Sequence, residues 1–300
     1  LSTEAVLGAW ILVNLASLYL CIRARNKHRA VVWANLSKTV WLTAPLWGGI
    51  VLVCFVTGVT ALIAPPNNWD SMTYHMSRVM HWIQNKSVGH YPTHELRQLH
   101  FQPLAEYIIV NFQILSGDDR FANLAQWLSM VGSALGVSLI AKHYGGHLRT
   151  QMFASIIAVT IPMGILQSTS TQNDYVVSFW MVCLAYFILQ LTQRPDHRGY
   201  VLAAGASMGL ALLTKAAAYL YAAPFLALLG VIGFKKMGVR IAVPIFFIVT
   251  ISLTLNSGYF MRNYELFHGP FGDPAAKEVH CNTAMNAATI SSNIVRNIGL

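Results

Sequence analysis

Polar and apolar positions in this chain segregate into whole segments instead of alternating residue by residue. Apolar runs occupy about 4 to 22, 42 to 64, 121 to 141, 151 to 167, 175 to 192, 200 to 214, 216 to 234 and 239 to 258. A helix needs roughly 20 apolar residues to cross a hydrocarbon core of ~30 Å. The pattern therefore predicts an all-α fold, a polytopic transmembrane helical bundle forming one domain over residues 1–300. Only Thr214 and Lys215 separate two of the runs, which reads as a tight hairpin at one membrane face or as one long kinked helix. Pro103 to Leu115 is apolar but interrupted by Glu106, Asn111 and Gln113, and Ser116, Gly117 and Asp118 end it. It is too short to cross and predicts a helix lying in the membrane interface.

One stretch departs from this pattern. Asn67 to Glu106 holds Asp70, Glu95, Glu106, Arg78, Lys86, Arg97 and five histidines: His75, His81, His90, His94 and His100. Residues 65–117 are expected to form a long water-facing first loop with interfacial helices, and the candidate chemistry is expected there.

Composition agrees with the pattern. With 55% hydrophobic and 10% charged residues, and a mean hydropathy of +0.49, the chain cannot cover a water-soluble surface. The formal charge of +9 would suggest nucleic acid in a soluble protein, but its placement points to topology, and no nucleic-acid partner is expected. Alternate loops hold Arg23, Arg25, Lys27, Arg29 and Lys38, then Lys142 and Arg149, then Arg194 and Arg198, then Lys235, Lys236 and Arg240. That is 12 of the 20 Lys and Arg, with Asp196 as the only acid. The opposite face carries nearly all the acids: Asp70, Glu95, Glu106, Asp118, Asp119, Asp174, Glu265, Asp273 and Glu278. The rule of basic cytoplasmic loops then places the first loop, Asp174, Lys215 and Arg262 on the extracytoplasmic side of an integral membrane protein, with the plasma or inner membrane the expected location. The first run has neither a basic lead nor a small-residue cleavage site, so it is not read as a signal peptide. The start at Leu1 and the stop at Leu300 after a polar tail suggest a piece of a longer chain.

Asp70 is the first catalytic candidate. The run before it stops at Pro65-Pro66 and delivers it just beyond the hydrocarbon edge, where a partly desolvated carboxylate gains the basicity to take a proton from a hydroxyl. If Ser71 to Gln84 is helical, Tyr74, Ser77, Arg78 and His81 share a face with Asp70, and Met72, Met76, Val79, Met80 and Ile83 lie opposite. The competing role for Asp70 is a helix N-cap. Asp174 ends the polar run Gln167 to Asn173 at the mouth of a span, where an ionisable residue is functional or, again, a cap. For Asp118 and Asp119, which directly precede a span, capping and solvation are the favoured roles. Lys215, a lone cation amid apolar residues, either snorkels or holds a phosphate, and Arg97 and Arg262 are further phosphate candidates. Tyr74, His75, Arg78, Gln98 and Glu106 are the candidate substrate-binding residues of the loop. His90 and His94 are four apart, but Pro92 between them argues against a shared helical face. With no HExxH, no metal ligand and no cofactor is assigned, a divalent ion being left open. His280 and Cys281 are the other residues of a type that binds zinc, and the four cysteines form no CxxC. Asn85-Lys86-Ser87 matches a glycosylation sequon.

Taken together these segments resemble the GT-C membrane glycosyltransferases of the protein O-mannosyltransferase and lipid A aminoarabinose transferase type. The resemblance rests on Asn68-Trp69-Asp70 after an early span, Gln102 to Tyr107 opening an interfacial helix, Gln172-Asn173-Asp174 at a later span, and Gly209 to Lys215. Gln102 and Ala216 stand where the family usually has proline and glycine. The resemblance implies a sugar on a polyprenyl phosphate as donor and a lipid, glycan or protein as acceptor. It implies Asp70 as general base of an inverting transfer, Asp174 assisting, and Lys215 with Arg262 neutralising the leaving phosphate. The alternative, a multipass transporter or lipid flippase, predicts broken helices with ionisable residues near the midplane; here the acids gather at one rim.

Overall fold

The structure, a computed structural model, describes residues 2–25, 36–273 and 286–298. Lys27 and Arg29 of the first basic loop, and Glu278, His280 and Cys281, lie outside the described residues. Every regular element among those described is helical. Helices α1 (Thr3–Arg25) and α2 (Leu36–Ile63) precede the polar loop, which holds a π-helical turn (Ser71–His75), α3 (Met76–Gln84), α4 (Arg97–His100) and α5 (Leu104–Ser116). There follow α6 (Leu124–His143), α7 (Leu148–Val159), α8 (Pro162–Gln167), α9 (Asp174–Gln193), α10 (Arg198–Thr214), α11 (Ala217–Met237), α12 (Ala242–Phe267) and α13 (Ala287–Ile298). The chain divides into two compact units, Leu1–Ser257 and Gly258–Leu300.

Among the described residues, four helical stretches are long and apolar enough to cross a membrane: Thr43–Ile63, Leu124–His143, Asp174–Gln193 and Ala217–Phe267. The fold is thus the expected helical membrane bundle. The run at 151–167 is not one helix. Pro162 has no N–H and disfavours helical backbone at the residue before it, so α7 ends at Val159, Ile161 turns extended (ψ 119°) and α8 starts at Pro162. The run through Thr214 and Lys215 also breaks: Lys215 has extended backbone (φ −156°, ψ 136°), which ends α10 and turns the chain into α11. This is the hairpin rather than the single kinked helix.

Helices α9 to α12 share a core of Leu184, Ile188, Leu191, Val201, Ala204, Leu229 and Ile248, and α6, α7 and α9 meet at Met130, Ala134, Val159 and Tyr175. Apolar lipid gives helices little hydrophobic reason to associate, so small residues and interhelical hydrogen bonds carry the packing. Gly209 is one such point: a Cβ there would lie 3.0 Å from the Ser252 Cα of α12. Around it Ser252 donates to the Gly205 carbonyl at 3.0 Å and Asn256 to that of Gly209 at 2.9 Å. Outward faces stay apolar, as at Leu12, Phe55, Leu135 and Phe246.

Candidate active site

After α2 the chain passes Pro65 and Pro66, and Asn68 accepts the Ser71 N–H at 2.8 Å. The asparagine therefore does the capping, and Asp70 makes no capping bond. Its carboxylate points elsewhere. One oxygen accepts from Gln172 Nε2 at 3.3 Å, and the other lies 4.0 Å from Arg97 Nη1, with 39% of the side chain exposed. Arg97 is itself held in a fork on Glu95, with Nε and Nη2 each 2.8 Å from a carboxylate oxygen, and its guanidinium lies over the Tyr74 ring at 4.7 Å. The fork holds the Glu95 carboxyl below its usual range. Burial pushes the Tyr74 phenol up, and the negative charges of Asp70, Glu106 and Asp174 push the same way, against the opposing charge of Arg97. Tyr74 thus remains a neutral hydroxyl.

The second limb of the site comes from the starts and ends of spans. Gln126, fully buried on α6, accepts the N–H groups of Tyr175 (2.8 Å) and Val176 (3.0 Å), satisfying two of the donors that the first turn of α9 leaves open. Asn173 donates to the Thr214 carbonyl at 3.1 Å, tying the start of α9 to the end of α10. With those backbones fixed, Lys215 Nζ reaches Asp174 Oδ1 at 2.5 Å. Asp70, Gln172, Asp174 and Lys215 consequently form one continuous polar rim at the ends of α2, α9 and α10.

The other loop candidates lie beneath this rim. His75, Arg78, Gln98 and Glu106 are between 0% and 7% exposed. His75 Nδ1 sits 2.6 Å from Glu106 Oε1, and Arg78 Nη1 sits 3.6 Å from the same oxygen. Arg78 also donates to the carbonyls of Gln98, Arg97 and Phe101, and Gln98 donates to that of Thr73. Burial pushes the Glu106 carboxyl up, but Arg78 and His75 outweigh it and hold it below the usual range. The cluster staples the π-helical turn, α3, α4 and α5 together.

The helical face expected to surround Asp70 is therefore partly the buried one. Tyr74 and Arg78 face inward with Met76, Val79 and Trp82, while Met72 and Met80, expected to share the side of Met76 and Val79, are exposed. The extra residue in the π-helical turn shifts the register ahead of α3, and an arginine can be buried here because carbonyls and a carboxylate meet it. Arg262 lies in the second unit, residues 258–300, as part of α12. Asp118 accepts the Arg120 N–H at 3.0 Å in a local turn and does not cap α6, whose N-cap position is Asn123. Among the described residues no three His, Cys, Asp or Glu side chains come together to hold a metal ion. Gln172 and Gln126 are site-building residues to which the sequence assigned no role, although Gln172 stands in the Gln172-Asn173-Asp174 segment. The only signal for Gln172 was its place beside Asp174 in a polar run; Gln126 had none.

The family model for dolichyl-phosphate-mannose-protein mannosyltransferase matches residues 101–258. The chain belongs to this family. It is thus a glycosyltransferase of the mannosyltransferase, GT-C type with a lipid-phosphate sugar as donor. The region matched includes Gln172, Asp174 and Lys215, while Asp70, Tyr74 and Arg97 precede it. Neither the curated proteins nor the solved structures contain a match.

Proposed function

We propose that this mannosyltransferase-family protein transfers a sugar with inversion from a polyprenyl-phosphate donor to an acceptor hydroxyl on the extracytoplasmic face. The observation that carries the reading is the convergence of Asp70 with the Asp174–Lys215 pair on one half-exposed rim, joined through Gln172. Asp70 takes the acceptor's proton as its oxygen attacks the anomeric carbon. The bond from that carbon to the phosphate oxygen breaks, and the phosphate leaves with the electron pair. Lys215, held by Asp174, and Arg97, held by Glu95, lie where they can meet the growing phosphate charge, the electrostatic part of catalysis. Tyr74, a buried neutral hydroxyl with the Arg97 guanidinium over its ring, positions that arginine. His75, Arg78, Gln98 and Glu106 act as positioning residues, because their burial keeps them from the substrate. The side of the membrane follows from the basic loops at the other ends of the spans.

The test is transfer from a radiolabelled polyprenyl-phosphate sugar pool in membranes carrying the protein or its Asp70→Asn form at matched expression. Loss of at least ~100-fold is expected, since general-base catalysis contributes about 10² to 10⁴. Equal transfer by both forms would remove Asp70 from the chemistry.

A further inference from the structure

Helix α9 carries Asp174 at one end, and its 20 residues place its other end about 30 Å away. At that far end α10 begins with Arg198, and the 3₁₀ turn between α11 and α12 carries Arg240. Between them lies a cavity of about 610 Å³. Leu202, Val243 and Phe247 form apolar walls, while Asp196, Arg198 and Arg240 form the polar part of the lining. Neither arginine forms an ion pair among the described residues.

Two features make this lining a match for an anion with an apolar tail. Arg198 is a cation on the first turn of α10, where the helix dipole favours negative charge, so a phosphate seated there satisfies guanidinium and dipole together. The walls are apolar, and Leu202 is 60% and Val243 57% exposed, which suits an acyl chain and not a hydrated ion. Lys235 and Lys236, in the last turn of α11, add positive charge at the same end. Asp196 is the single acid of the lining, so its net charge is positive.

We propose that this groove binds an anionic glycerophospholipid in the leaflet opposite the candidate active site. Its phosphate lies between Arg198 and Arg240, and one acyl chain lies along Leu202, Val243 and Phe247. The guanidinium fork suits a phosphodiester, and Asp196 selects against headgroups with additional negative charge.

Native mass spectrometry of the purified chain, titrated with phosphatidylglycerol, phosphatidylethanolamine and phosphatidylcholine of identical acyl chains, tests this. Phosphatidylglycerol should be retained roughly tenfold better than phosphatidylcholine, on the scale of two basic groups near one anionic headgroup. Arg198→Gln with Arg240→Gln should abolish the preference. The corresponding double lysine variant should keep most of it, which separates lost charge from a lost fold, and Asp196→Asn should strengthen it. Equal retention of the three lipids, a preference that survives the double glutamine change, or displacement of the lipid by millimolar inorganic phosphate would overturn the proposal. So would a preference for phosphatidylethanolamine that Asp196→Asn removes.

Discussion

Replacing Lys215 by methionine tests whether its charge serves the leaving phosphate, and the geometry predicts how much is lost. As the bond to the sugar breaks, the phosphate gains about one unit of negative charge. With the phosphate ~4 Å from Nζ and ~6 Å from the Asp174 carboxylate, an effective dielectric of ~20 gives about −4 kcal/mol from the lysine and about +3 from the aspartate. The intact pair therefore contributes only ~1 kcal/mol, whereas Lys215→Met loses the full lysine contribution and leaves Asp174 repelling the phosphate. Each side chain is 40% and 43% exposed, respectively, so solvent screening lowers the thousandfold loss that ~4 kcal/mol implies to on the order of a hundredfold in kcat. Removing both partners, Asp174→Asn with Lys215→Met, should cost only about three- to fivefold, and the double variant should be faster than the single one. Initial rates at saturating radiolabelled donor would show this. A Lys215→Met rate within about threefold of the parent protein would refute the phosphate role. A double variant as slow as Lys215→Met would give Asp174 its own part at the reacting atoms.

Other expectations follow from the same geometry. Gln172→Ala removes the amide that holds Asp70 and should lower kcat several-fold with little change in donor KM, whereas a purely structural defect would lower the amount of folded protein. Glu106→Gln leaves Arg78 buried without its carboxylate and should destabilise the protein by ~3 kcal/mol at neutral pH. Because the folded-state pKa of Glu106 is depressed, its stabilisation is present above the ordinary carboxyl range and is lost as pH falls through the folded value. The thermal midpoint of the parent protein should therefore fall on acidification, and that of Glu106→Gln should fall less; parallel curves would contradict the assignment. Gln126→Ala exposes two N–H groups at the buried start of α9 to no partner and should cost on the order of 1–3 kcal/mol for each one left unsatisfied. Gly209→Leu should lower the thermal midpoint, since even a Cβ there lies 2.8 Å from Leu255 Cδ1; an unchanged midpoint would show that α10 and α12 can separate without cost.

Segregated apolar runs and loop charges were enough to read a helical membrane bundle with a polar first loop, because lipid leaves a spanning chain little choice but helix. The breaks at Pro162 and Lys215 have local causes: proline lacks an N–H, and a cation interrupts two apolar runs. The same local reading stopped short at the faces of α3. Arg78 and Glu106 are both charged and looked like surface, but they are 28 residues apart and only packing brings them within one buried cluster. Periodicity assigns charge to water by default, and a partner distant in the sequence overrides that assignment.

The choice between capping and chemistry at Asp70 was likewise beyond local inspection. Asn68 and Asp70 both have side chains that cap helices, and the structure assigns the cap to Asn68. The contact of Asp70 with Gln172 joins residues 102 positions apart, and that of Asp174 with Lys215 joins residues 41 apart. The sequence by itself marked the candidates for the chemistry, since acids and one lysine at the ends of apolar runs are costly to retain without use. Only the tertiary structure decided which of them meet, because contact across α2, α9 and α10 depends on how helices pack, and small residues such as Gly209, with buried amides such as Gln126 and Asn173, set that packing.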